Sequence, residues 1–464
     1  MRAGAILAAL LAAVVLAPSA ALVPDHLKTQ PRSAGRPPPA KRRPRIVVVG
    51  SGLAGLSAAL EPRRAGDVCV TVLEKLEKLG GNSALSSGGI SALVPGSKIH
   101  DTNDLFFDDI LRSGGGLCDE KLTKKLVLES PKAIGFLREL GVKFDVTVHC
   151  AAHSRARTHR GIKTVPNLDA AMMDRLEAAI RRDPAIRERK GVRVDEILFD
   201  DHGPHVRGVL CEEEAAGMET VLCDAVVIAT GGFARDCELL RLHAPHLANL
   251  LTSNGLGAMG DGIKIGQMNP HKYISPPDFR AFGAVMLDVN GSNAISVLPK
   301  QHATLLQDAP AADLCRQAGM ENALQWYVAR GLMKPCSGLN AVARELGVNS
   351  DVLEEELASY AVDAFHKTIF TTRLELSDQP GREAFIMTVT PALHFTLGGL
   401  KIDEDARVML AETGAPISGV FACGEVAGGV HGANRLAGNA LLEAVVFGCT
   451  AGRTAAAVAA AVVA

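Results

Sequence analysis

The stretch RIVVVGSGLAGLSAALEPRRAGDVCVTVLEK, residues 45–75, leaves few folds open to this chain. Ile46–Val49 is a continuous β-branched run, the pattern of a strand buried on both faces of a parallel sheet. Gly50, Gly52 and Gly55 follow in the order G-x-G-x-x-G, and Leu53–Leu60 reads as the opening of a helix. Val68–Leu73 predicts a second strand ending at Glu74. Strand, glycine turn, helix and strand make the unit that holds a dinucleotide. Gly50 and Gly52 permit a tight turn and the approach of a pyrophosphate to the helix N-terminus, and Gly55 lets helix and strand pack closely. Glu74, nineteen residues past Gly55, is placed to accept hydrogen bonds from a ribose. Ala54 and Lys75 belong to the same cofactor-binding set.

A second glycine cluster, GGNSALSSGGISA (80–92), follows almost at once. Asn82 and Ser83 suit the pyrophosphate and ribityl of a bound cofactor, and Ser87, Gly88 and Gly89 suit the side of a ring. AVVIATGGF (225–233) predicts a parallel strand running into Ala229, Thr230 and Gly231. GVFACGEVAGG (419–429) predicts another, ending at Gly424 and Glu425. A chain that returns to its dinucleotide near the C-terminus has the flavoprotein arrangement, so the predicted cofactor is FAD.

The formal net charge of −2 supplies no basic footprint, which argues against a nucleic-acid partner. Ten cysteines are scattered without a CxxC or CxxCH, which argues against zinc ribbons, iron–sulfur clusters, attached haem and a dense disulfide framework, and no metal site is expected. Electrons handled here need an organic carrier. At the N-terminus, residues 1–22 have one positive charge, an apolar run from Ala5 to Leu16 and small residues near Ser19–Ala21, the pattern of a secretory signal peptide. Residues 23–44 are basic and Pro-rich and read as a linker or a transit segment. The expected location is the secretory pathway or an organelle reached through it, with mitochondrion and plastid as alternatives. No stable membrane span is expected, the C-terminal TAAAVAAAVVA being read as a helix end or tail too short for a bilayer.

TPALHFTLGG (390–399) carries an imidazole and a hydroxyl two residues apart in an apolar run. In a strand His394 and Thr396 share a face. They are either a core histidine with its neighbour or two walls of a ligand pocket. HGANRLAGNALLEAVVFG (431–448) puts Arg435 and Gly438 just before a helix beginning near Asn439, with Ala440 and Leu441 in its first turn. A helix N-terminus stabilises nearby negative charge by about 0.3–1 kcal/mol. Arginine presents a planar fork suited to carboxylates, and Arg435 is either such a binder or half of a structural ion pair.

Taken together, GSGLAGLSAA, GGNSALSSGGISA, HSRARTHR, ATGGF, MGDGIKIGQ, TPALHFTLGG and GEVAGGVHGANRLAGNALLEAVVFG resemble the soluble fumarate reductase and flavocytochrome c group of the succinate dehydrogenase–fumarate reductase flavoproteins. The resemblance runs from about residue 45 to 455. It implies an α/β fold: a Rossmann-like FAD-binding domain in two chain segments, 45–268 and 392–464, with an inserted α+β capping domain at 269–391. It also implies Asp261, Glu425, Gly438, Ala440 and Leu441 as further FAD contacts. The FAD would be non-covalent, because Asn82 and Ser83 stand where relatives carry a flavin-linked histidine. His394 and Arg435, helped by Thr396 and the Gly438 backbone, would hold the two carboxylates of fumarate while a hydride passes from flavin N5, giving succinate. Electrons would come from a reduced flavin or another donor.

The resemblance thins in the capping segment. His271 is the candidate for the family's first histidine there, and Arg280 matches its relay arginine. Pro276 and Pro277 stand where a Thr-Glu pair is usual. The proton-donating arginine falls near Lys300, Gln301 and His302. Either Lys300 or another group replaces the acid, or the chain is a non-catalytic FAD-binding relative, or coding pieces are missing from it. Reduction of another unsaturated carboxylate is the same-class alternative. CAAHSRARTHRG (150–161) is read either as a motif near the adenine half or domain boundary, or as a solvated basic loop.

Overall fold

The computed structural model describes residues 42–86, 89–94, 96, 99–150, 152–161, 168–200, 205–213, 216–268, 283–284, 303–307, 334–359, 384–389 and 392–464. The predicted dinucleotide unit is there, as β1 (Arg45–Val49), α1 (Leu53–Ala65) and β2 (Cys69–Glu74). The next elements are β3 (Ile90–Ser91), α2 (Asn103–Ser113), α3 (Glu120–Glu139), β4 (Val146–Val148) and β5 (Thr158–Arg160). Thr102 caps α2 through Leu105 N, and Asp119 caps α3 through Lys121 N and Leu122 N. α4 (Leu168–Arg182) buries Met172, Met173, Leu176 and Ile180. β6 (Ile186–Lys190) is followed by the antiparallel β7 (Val192–Phe199), β8 (Val206–Glu213) and β9 (Gly217–Leu222), then β10 (Ala225–Ile228).

α5 (Cys237–His243), β11 (Leu251–Thr252) and α6 (Asp261–Met268) close the first half. In the intervening segment lie β12 (Gly283–Ala284), β13 (Ala303–Gln307), β14 (Lys334–Cys336), α7 (Leu339–Leu346), α8 (Ser350–Ser359) and β15 (Ala384–Val389). β13, β15 and β14 pair antiparallel, and Cys336, Val342, Ala343, Leu353 and Ile386 form a small core separate from the main one. The chain then continues through β16 (Ala392–Leu393), β17 (Phe395–Thr396), β18 (Leu400–Lys401), β19 (Arg407–Met409), β20 (Pro416–Ala422) and β21 (Ala427–Gly428) into α9 (Asn439–Val463).

The central sheet has the order β19-β20-β10-β1-β2-β6, parallel except at the β19 edge. Its inner strands are almost fully buried, as their β-branched runs require. The carboxyl ends of β1, β2, β10 and β20 lead into Gly50, Glu74, Ala229 and Gly424, so the loops of four neighbouring strands converge on one edge. In open α/β sheets that edge is where ligands bind.

α9 corrects one expectation. TAAAVAAAVVA is a helix end, one of the two readings, but the helix it ends is 25 residues long rather than short. By length and mean hydropathy (1.6) α9 could cross a bilayer, yet Asn439, Leu441–Gly452, Ala455, Ala456 and Ala459 are buried within the protein. It lies against α1 at small residues: a Cβ added at Gly448 would sit 2.6 Å from Ala54 O, and one at Gly452 2.4 Å from Ala58 O.

Candidate active site

At the end of β1 the backbone leaves no room for a side chain. Gly50 has φ +104°, and an added Cβ would lie 2.4 Å from Ala229 O. An added Cβ at Gly55 would lie 2.0 Å from Gly50 O. Gly52 caps α1 without a side-chain hydrogen bond, and Ser83 Oγ accepts from Leu53 N at 3.1 Å. This is a glycine cradle under a helix N-terminus, the arrangement that binds a pyrophosphate.

The other predicted cofactor residues gather on the same edge. Glu74 is 7% exposed; its carboxylate accepts from Ser51 N at 3.1 Å and from Leu76 N at 2.9 Å. Lys75 and Asp261, predicted separately, form an ion pair with each other. Asn82 Oδ1 accepts from Gly255 N at 2.9 Å, and its amide donates to Asn254. Gly89 (φ +83°) is buried, Ala229 N bonds Val49 O, Thr230 Oγ1 accepts from Gly262 N at 3.1 Å, and Gly231 has φ +73°. Gly438 (φ +78°) precedes α9, whose first turn contains Ala440 and Leu441. Ser87 and Gly88 lie outside the described residues, as do His271, Arg280 and Lys300.

The TPALHFTLGG segment departs from the single strand expected of it. β16 pairs with β11 and β17 with β12, and the chain changes partner at His394. Asn254 Nδ2 holds the change in place, donating to Leu393 O at 3.2 Å and His394 O at 3.0 Å. His394 Nδ1 lies 2.9 Å from Ser253 Oγ. Thr396, 3% exposed, donates its hydroxyl to Glu425 Oε1 at 2.8 Å and accepts from Phe233 N at 3.2 Å. The two side chains therefore have separate partners. Glu425 also accepts from Thr396 N at 2.8 Å, and burial pushes its carboxyl up to about 7.

Arg435 is 6% exposed, donates to Leu436 O at 2.9 Å and stacks over the Phe395 ring at 4.8 Å. Stacking uses the face of the guanidinium, whose donors lie in its plane. Phe395 is the residue between His394 and Thr396, so the structure brings Arg435 and the HFT segment together. His431, whose ring meets Phe395 edge-on at 6.1 Å, pairs with the buried Glu443 at 2.9 Å.

Residues 45–441 match the family described as FAD binding domain. Fumarate reductase 1 of Saccharomyces cerevisiae is 31% identical, over 88% of this chain and 97% of its own. Fumarate reductase (cytochrome) of Shewanella frigidimarina is 31% identical, over 89% of this chain and 76% of its own. Among solved structures, the open conformation of a flavocytochrome c3 fumarate reductase covers 90% of this chain and 78% of that one, at 26% identity and a TM-score of 0.66. The chain belongs to the fumarate reductase flavoproteins. Its cofactor is FAD, and the Gly50–Gly55 cradle, with the buried Glu74 bonded to Ser51 N beside it, fits that group.

Sequence reasoning missed several residues of this fumarate reductase flavoprotein. Ser253 and Asn254 carry no motif of their own, and nothing local marks them as partners of the HFT segment. HSRARTHR is not a solvated basic loop: His153, Arg157 and His159 are 4%, 1% and 6% exposed. Asp101 and Asp109 bury the Arg157 charge, and they lie 56 and 48 residues away in the chain.

Proposed function

We propose that the protein is an FAD-dependent fumarate reductase, adding a hydride and a proton across the alkene of fumarate to give succinate. Bound FAD, when reduced, supplies the hydride. The carrying observation is the buried Arg435 guanidinium stacked on Phe395, beside His394 and at the foot of α9. In this reading Arg435 grips one carboxylate through its in-plane donors, and His394, steadied by Ser253, grips the other. Gly438 N–H and the positive end of α9 add to the anion's stabilisation. Clamping both carboxylates withdraws electrons from the alkene and fixes its face. Thr396 holds Glu425 and the Phe233 amide in register with this wall.

The proton for the second carbon would come from the capping segment at 269–391, between the FAD-binding segments 45–268 and 392–464. Lys300 stands near the position of the family's donor arginine, with Arg280 as relay and His271 as a further histidine. The pairing of Gly283 with Thr396 and of Ala284 with Phe395 supports bringing that segment to the site. Residues 1–22 would be removed as a secretory signal; N-terminal sequencing of the mature protein tests this. The function is tested by adding fumarate to the anaerobically reduced protein. Reoxidation by fumarate and not by acrylate, lost in Arg435→Ala, supports a dicarboxylate reductase. A reduced flavin indifferent to fumarate sinks the reading.

A further inference from the structure

Beneath the Arg435–Gly438 turn lies a buried charge network that the reaction as described does not use. Arg157 is locked from both sides: it donates to Asp101 at 2.7 and 2.8 Å and to Asp109 at 2.6 Å, and its guanidinium lies 4.5 Å over the Phe106 ring. Arg157 Nη1 also lies 3.2 Å from His153 Nδ1. A guanidinium can only donate, so His153 Nδ1 accepts and carries no proton. The imidazole proton therefore sits on Nε2, which lies 2.9 Å from Ala437 O. Burial lowers the His153 pKa to about 4, which keeps this neutral tautomer through the physiological range.

Ala437 O has a second donor, Ser91 Oγ at 2.8 Å, while Ser91 N donates to Gly438 O at 3.1 Å. Ser91 Oγ also lies 2.8 Å from Thr158 Oγ1, which can donate to it in turn. A trans peptide is planar, so its N–H points opposite to its C=O. Drawing Ala437 O toward Ser91 and His153 turns the Gly438 N–H to the other side, where no described residue accepts it. Gly438 cannot easily be rotated or replaced. Its φ is +78°, and an added Cβ would lie 2.4 Å from Ser91 Oγ.

We propose that His153, held as its Nε2–H tautomer by Arg157, acts with Ser91 as a positioning pair that aims the Gly438 N–H at a substrate carboxylate. This rests on the dicarboxylate reading above. His153 touches neither substrate nor cofactor; it works through the Ala437–Gly438 peptide, on the same turn that carries Arg435.

The test is calorimetric titration of succinate into the oxidised, FAD-loaded protein, alongside fumarate kinetics. His153→Leu weakens succinate binding about ten-fold or more, the effect of misaiming one hydrogen bond to a charged group. It raises the fumarate KM by a similar factor and changes kcat far less, and FAD content stays at one per chain. His153→Gln, which can still donate to Ala437 O, recovers most of the affinity, a rescue that a simple packing role would not give. Ser91→Ala removes the second donor with little change of volume and shifts affinity the same way. Wild-type affinity in both His153→Leu and Ser91→Ala overturns the proposal alone. A wild-type protein that answers to neither succinate nor fumarate overturns the reading beneath it and this proposal with it.

Discussion

Glu425 offers a measurable consequence of burying a carboxyl against Thr396. Burial raises its pKa from 4.5 to about 7, against the opposing pull of two hydrogen bonds from Thr396. The sign follows from proton counts. Between those two values the unfolded chain has lost the proton and the folded protein keeps it, so folding stability falls as pH rises. The cost is absent well below 4.5 and complete above 7. At 1.36 kcal/mol per pKa unit the full loss is about 3 kcal/mol, most of it falling between pH 5 and pH 8. Glu425→Gln keeps an oxygen for Thr396 and cannot ionise. Urea unfolding without added FAD, at pH 5 and at pH 8, should therefore show the wild type losing about 2–3 kcal/mol more than the variant. Parallel losses in the two proteins would refute the claim that this carboxyl is held neutral by its surroundings.

Three other perturbations follow from geometry. Gly50→Ala forces a Cβ to within 2.4 Å of Ala229 O at a left-handed φ, so the purified variant should carry little FAD, read as the ratio of flavin to protein absorbance. Ser253→Ala removes the partner of His394 Nδ1, and succinate affinity measured by calorimetry should fall about five-fold, the value of one neutral hydrogen bond. Gly452→Ala drives a methyl to 2.4 Å from Ala58 O and 3.0 Å from Pro62 Cδ, and should cost about 1–3 kcal/mol in urea unfolding as α9 is pushed off α1.

What could be read from sequence was whatever rests on short-range pattern. The dinucleotide unit, the strand before Ala229 and the start of α9 at Asn439 all appear where periodicity and glycine spacing placed them. What escaped depends on partners far apart in the chain. Alternation put His394 and Thr396 on one face, but Asn254 grips the backbone at 393–394 and the strand changes partner there. The basic run at 153–160 could not be told from a solvated loop because its neutralising carboxylates, Asp109 and Asp101, lie in and just before α2. Lys75 and Asp261 both read as cofactor contacts, and their separation of 186 residues hid the ion pair between them.

The packing of α9 on α1 has a consequence for synthesis. The glycine cradle is made early, from residues 50–55, yet the helix that backs it begins only at Asn439. A ribosome that has emitted the whole sheet still hides much of that helix in its exit tunnel, so the nascent chain must wait with the flank of α1 uncovered. Capture of flavin thereby waits on the synthesis of α9, and a chain broken off within that helix would leave the nucleotide-binding half without its backing.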